Sequence, residues 1–186
     1  MAEPQKQSHY PSPQKAQEIV SRTLSIIVDN EPGVLARIAG MFSGRGYNIE
    51  SLTVSETEHE SHVSRITVVT RGTAQVIDQI KAQLDRLVPV HRVVDLTLSG
   101  SAIERELALV KVKQLGETRS EHRMEALRLA SAFGAKPIDA TLDSFIFEIA
   151  GNSDEVERFI NLMVHIGLVE VARTGIASIS RGAEGL

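Results

Sequence analysis

Thr23-Leu24-Ser25-Ile26-Ile27-Val28-Asp29-Asn30-Glu31-Pro32-Gly33-Val34-Leu35-Ala36-Arg37 is the stretch that decides the fold. Leu24, Ile26 and Val28 alternate with Ser25, Ile27 and Asp29, the period of a strand with one strongly apolar face. Asp29 to Gly33 is a dense turn signal. Asn30 suits a helix N-cap, and Pro32 suits the first helical turn. Val34, Leu35, Ile38, Met41 and Phe42 then fall on one helical face, which Gly44 and Gly46 terminate.

Outward from this strand-turn-helix, the pattern continues. A β-branched run predicts a second strand from about Ile49 to Ser55, and a third from about Val63 to Thr70. Val76, Ile77, Ile80, Leu84 and Leu87 mark a second amphipathic helix, with Thr73 near its start. A fourth strand is expected over about Val90 to Leu98. After Ser99-Gly100-Ser101 the same order returns. Leu107 to Val112 reads as a strand, and Thr118 with Glu121 as a capping box before a helix that reaches about Phe133. Ile138 to Thr141 and Phe145 to Ala150 form a hairpin around Leu142-Asp143. Asn152 with Glu155 repeats the capping-box pattern, and Val156, Phe159, Ile160 and Met163 form the next helix face. Gly167 to Ala172 is the last expected strand.

The predicted class is α+β: two ferredoxin-like βαββαβ domains in tandem, each a four-stranded antiparallel sheet with both helices on one face. The expected division is a loose leader over 1–20, a first unit over 21–98, a linker over 99–106, a second unit over 107–182 and a tail over 183–186. Units this small have small cores, and one sheet face of each is left open. Ile27 on that face points to cover from another chain.

Composition excludes several functions. Lys+Arg number 20 and Asp+Glu 24, for a net charge of −4, which argues against a phosphate-neutralising surface. With no cysteine in 186 residues there is no disulfide, thiolate nucleophile or iron–sulfur cluster. No apolar segment approaches the ~20 residues that span a bilayer, and the proline- and glutamine-bearing start has no signal-peptide core. A cytoplasmic location is expected, with no nucleic acid and no membrane as partner. No phosphate-binding loop, nucleophile elbow or metalloprotease motif occurs, so no catalytic residue is assigned. His59 and His62 among Glu56, Glu58 and Glu60 have metal-ligand chemistry, but a solvated hairpin loop is the simpler reading. Arg119, His122, Arg123 and Arg128 are expected to form an exposed face paired with Glu121 and Glu125, and His91 and His165 stand isolated.

One site does suggest binding. A helix start offers unpaired backbone amides and a favourable dipole for a carboxylate. Gly33 would let a small ligand approach the backbone, and the Asn30 amide can donate and accept. Taken alone, these residues read more simply as a well-capped helix, with Gly33 serving the turn.

The stretch from Thr23 to Arg37 resembles the start of an ACT domain. Arg45-Gly46-Tyr47-Asn48-Ile49-Glu50-Ser51-Leu52-Thr53-Val54 is more specific, and resembles the small regulatory subunit of acetohydroxyacid synthase (acetolactate synthase). Glu104 to Val112, Val169 to Gly175 and Ser180-Arg181-Gly182 are similar to the same family, so the likeness runs from about Arg22 to Gly182. The resemblance implies a non-catalytic subunit of the branched-chain amino-acid pathway. Such a subunit activates a catalytic large subunit and confers feedback inhibition, typically by valine. Thiamine diphosphate, FAD and magnesium would belong to that catalytic subunit, and this chain would carry no cofactor of its own. The resemblance also implies an ACT homodimer with valine at the interface. One protomer would give Asn30, Gly33, Val34 and Leu35, and its partner Asn48 and Ile49. Two alternatives are an amino-acid-binding or metal-sensing module acting on another partner, and a small ferredoxin-like enzyme.

Overall fold

The structure is a computed structural model, and it describes residues 18–58, 62–98, 102–113, 119–183 and 185. The first unit comprises β1 (Val20–Asp29), α1 (Val34–Gly44), β2 (Ile49–Glu58), β3 (Val63–Gly72), α2 (Ala74–Leu84) and β4 (Val90–Asp95). Its sheet is antiparallel with strand order β2-β3-β1-β4. Leu24, Ile26 and Val28 meet Ile38 and Phe42 of α1 and Ile77, Ile80 and Leu84 of α2 in one buried cluster. The period-2 pattern of β1 thus sets which sheet face the two helices cover.

The second unit comprises β5 (Ala102–Lys113), α3 (Arg119–Ala132), β6 (Lys136–Ala140), β7 (Ser144–Gly151), α4 (Ser153–Ile166), β8 (Leu168–Arg173) and β9 (Ala177–Ser180). Its strand order is β6-β7-β5-β8, with β9 also paired to β5. Val110, Phe147, Ile149, Phe159 and Met163 lie in a second, separate core. From α3 the core receives Ala126 and Ala130.

The βαββαβ order is present twice, with these differences. The fourth strand stops at Asp95, because the Asp95 carboxylate accepts from the amides of Thr97 and Leu98 and folds 96–98 into a turn. β5 begins at Ala102, inside the segment expected as a linker, because Ala102–Arg105 pair with β9. β9 was not expected, and it makes the second sheet five-stranded. Asn30 is not the cap of α1. Val34 donates to the Glu31 carbonyl at 3.4 Å across Pro32-Gly33, and Gly33 sits at φ 88°, ψ −5°. That is the third-position geometry of a type II turn, which favours proline before glycine. Pro32 therefore belongs to the turn, and the helix starts two residues later.

The starts of the other helices differ. Thr73 caps α2, its Oγ1 accepting from Val76 N at 3.3 Å. Thr118 lies outside the described residues, as does the segment 99–101. The Asn152–Glu155 box is complete: Asn152 Oδ1 accepts from Glu155 N at 2.8 Å, and Glu155 Oε2 from Asn152 N at 3.0 Å. Asn152→Ala removes the side-chain acceptor and should cost about 1–2 kcal/mol. Urea denaturation of the variant should show that loss in the transition of the second unit, and an unchanged midpoint would contradict it.

Candidate functional site

The turn between β1 and α1 is held from three sides. Asn30 N donates to the His62 carbonyl at 2.7 Å, and Asp29 N to the Pro89 carbonyl at 2.9 Å. The Asp29 carboxylate also meets His91 Nε2 at 2.6 Å, so His91 fastens the start of β4 to the end of β1 and is not isolated.

On this frame α1 begins with no side-chain cap and no acidic residue in its first turn. The first-turn amides of Leu35 and Ala36 are therefore left for solvent or a ligand. Gly33 is exposed, and a Cβ built on it would meet nothing within 4 Å. Leu35 is 41% exposed beside the turn, whereas Val34 is 5% exposed and faces the core. Of the four residues expected here, Asn30, Gly33 and Leu35 present groups to solvent, and the buried Val34 supplies main chain only.

Asn48 and Ile49 are elsewhere. Asn48 is exposed, and its carbonyl accepts from Thr70 Oγ1 at 2.6 Å. Ile49 pairs with Thr70, and Thr70 with Arg22. Ile49 is thus level with Arg22, seven residues along β1 from Asp29, or about 23 Å at strand rise. One protomer holds the two halves of the expected site at opposite ends of its sheet.

Among the described residues no three His, Asp or Glu side chains converge as metal ligands. Of the loop that suggested metal ligands, 59–61 lie outside the described residues. No described helix is long and apolar enough to cross a membrane. On α3, Arg128 pairs with Glu125 as expected, Nε to Oε2 at 2.8 Å, and this hydrogen bond holds the Glu125 carboxyl below its ordinary pKa. Arg123 does otherwise: its guanidinium stacks 4.4 Å above the Phe145 ring and donates to the Thr141 carbonyl at 3.0 Å.

Sequence reasoning missed a contact between the units. Thr174-Gly175-Ile176 links β8 to β9 and rests on β2, where Ile176 N donates to Ser51 Oγ at 3.1 Å. A cleft of about 480 Å³ beside this contact is lined by Glu50, Ser51, Glu106, Arg173 and Gly175 among others. Gly175 ends a quoted stretch of the family likeness, but nothing in its local sequence names a partner 124 positions away on Ser51.

Comparison with known proteins matches both units. Residues 24–92 match the family described as AHAS small subunit-like ACT domain, and residues 105–182 the family described as small subunit of acetolactate synthase. The chain is 40% identical over 166 residues to the acetolactate synthase small subunit of Haemophilus influenzae, covering 89% of this chain and 98% of that one. It is 41% identical over 162 residues to the acetolactate synthase isozyme 3 small subunit of Escherichia coli, covering 87% and 96%. The crystal structure of the acetolactate synthase small subunit from Thermotoga maritima superposes with a TM-score of 0.78 at 36% identity, covering 89% of this chain and 99% of that one.

Proposed function

The chain belongs to the family of acetolactate synthase small subunits, and on that premise we propose that it activates a catalytic large subunit and makes it sensitive to valine. In this reading it is a regulatory subunit of branched-chain amino-acid biosynthesis. Thiamine diphosphate, FAD and magnesium belong to the catalytic partner. The first unit is the effector-binding domain, over about residues 21–98.

The observation that carries the reading is the separation of the two half-sites. Asn30, Gly33 and the α1 amides stand at one end of the sheet, Asn48 and Ile49 at the other. The homodimer we infer would set the turn of one protomer beside Asn48 and Ile49 of its partner, and its twofold symmetry would make two equivalent sites. The uncapped α1 N-terminus supplies donors for the effector carboxylate, with the helix dipole in support. The exposed amides of Asn30 and Asn48 suit the charged main-chain groups of a free amino acid. Leu35 and Ile49 offer apolar surface to its side chain, and burying a valine side chain contributes roughly 1.5–3 kcal/mol. A site built from two chains ties occupancy to their relative placement. Coupling of about 1–3 kcal/mol is enough for several-fold to hundredfold regulation. Discrimination among valine, leucine and isoleucine is weak in such a pocket, about 1–3 kcal/mol per methylene.

The test is reconstitution. The purified chain alone should form no acetolactate from pyruvate. Added to its catalytic subunit it should raise the rate, and valine should then lower it. Unchanged rate and unchanged valine response on addition would overturn the proposal.

A further inference from the structure

We propose that the Thr174–Ile176 loop is the element that transmits effector occupancy from the first unit to the second. The inference rests on the effector site proposed above and concerns how that site is read.

The loop sits where movement of the site must be felt. Its contacts Ser51 and Thr53 lie on β2, two and four residues beyond Ile49. The β2–β3 pairing shifts register between Ile49 and Ser51, and a movement of Asn48 and Ile49 reaches Ser51 and Thr53 through this short, covalently continuous segment. Ser51 stands opposite Val69 and Thr53 opposite Thr67, on the sheet face away from α1 and α2. Val69 and Thr67 are buried there, at 6% and 4% exposure, on the face opposite the α1–α2 core. Ile176 N donates to Ser51 Oγ at 3.1 Å, and Thr53 Oγ1 makes a longer bond of 3.5 Å to the Thr174 carbonyl.

Gly175 fits the contact in two independent ways. Its φ is +80°, a conformation that residues with a Cβ rarely adopt. A Cβ at this position would also lie 2.8 Å from Ser51 Oγ and 2.9 Å from Thr53 Oγ1. Only a bare backbone reaches this close. To make room, Ser51 would have to rotate away from the Ile176 amide it now accepts from.

On its other side the loop is mounted rigidly. Thr174 N donates to the Leu107 carbonyl at 3.0 Å, and Leu107 N donates to Thr174 Oγ1 at 3.1 Å. The preceding Arg173 donates from Nε and Nη2 to both oxygens of Glu106, whose side chain is 3% exposed, and from Nη1 to Glu157 of α4 at 2.8 Å. The bond to Glu106 holds the Arg173 guanidinium pKa above its ordinary value, with Glu157 adding to it. The path therefore runs from the start of β2, through two hydroxyls, to a loop fixed by ion pairs to β5 and α4. Such a path is a device only if both ends respond together.

The experiment uses the full chain with its catalytic subunit. Gly175→Ala crowds the contact, and Ser51→Ala removes its hydroxyl without crowding it; thermal melts confirm that each variant folds. Two quantities are read: the Kd for valine of the small subunit alone by calorimetry, and the maximal inhibition by saturating valine in the reconstituted enzyme. In both variants the Kd should stay within about twofold of wild type, while maximal inhibition falls several-fold. Undiminished inhibition in both variants overturns the inference. So does a loss of valine affinity that accounts for the lost inhibition, because the loop would then belong to the site. A wild-type subunit that binds no valine overturns the effector site first and this inference with it.

Discussion

Replacing Gly33 with aspartate should raise the valine concentration needed for half-inhibition by at least about tenfold, a loss of about 1.4 kcal/mol of binding. Stimulation of the catalytic subunit by the variant should survive. The site chemistry gives the direction. Gly33 immediately precedes the α1 amides proposed to hold the effector carboxylate, and a second carboxylate there repels it and competes for the same donors. The fold should tolerate the change. A Cβ at Gly33 meets nothing within 4 Å, so only the left-handed backbone, φ 88°, is strained. Asparagine and aspartate are the side chains that visit this conformation most readily. Gly33→Asn is therefore the matched control, with the same size and backbone demand but no charge. It should keep clearly more valine response than Gly33→Asp. Equal loss in both would assign the effect to shape, and full sensitivity in Gly33→Asp would remove this turn from the effector site.

Phe159→Ala should destabilise the second unit by about 3–5 kcal/mol, as large-to-small changes of fully buried aromatics do. Phe159 is 0% exposed and sits at the centre of the second core. Its ring is 5.6 Å from that of Phe133 and 6.1 Å from that of Phe147, the latter edge to face at 89°. Truncation removes both ring contacts, and the surrounding strands and helices can refill the cavity only in part. Because the two cores are separate clusters, the loss should be local. Hydrogen exchange should show β7 and α4 losing protection while β1 and β3 keep theirs. Equal loss in both units would mean that they unfold as one body. That result would also bear on how tightly the 174–176 contact joins them.

Local chemistry carried much of the fold. The alternation of Leu24, Ile26 and Val28 with less apolar residues, and the helical spacing from Val34 to Phe42, specify elements through periods of 2 and 3.6 residues. The Asn152–Glu155 box was legible because a cap is made within three residues of its own helix, and Thr73, read only as near the start of α2, proves to cap it. Errors arose where two local rules competed. Asn30 and Pro32 fit a helix start, but Pro32-Gly33 fit a type II turn better, and the chain takes the turn. Strand ends escape local patterns where a distant partner decides them. Ala102–Arg105 are strand because β9 pairs with them, some 75 positions away.

By itself the sequence determined two tandem βαββαβ units and the absence of thiol chemistry, and through motif likeness it named the residues proposed for the effector site. Each is a property of composition, of periodicity or of motif likeness, and is legible over short windows. Only the tertiary structure decided that Asp29, from which the turn with Asn30 and Gly33 departs, stands about 23 Å along the sheet from the level of Ile49, because that separation depends on strand register. It alone set Gly175 against Ser51 and Thr53, and Arg173 against Glu106 and Glu157. Those contacts join residues remote in sequence, and they arise from the packing of completed sheets and helices, which no local pattern encodes.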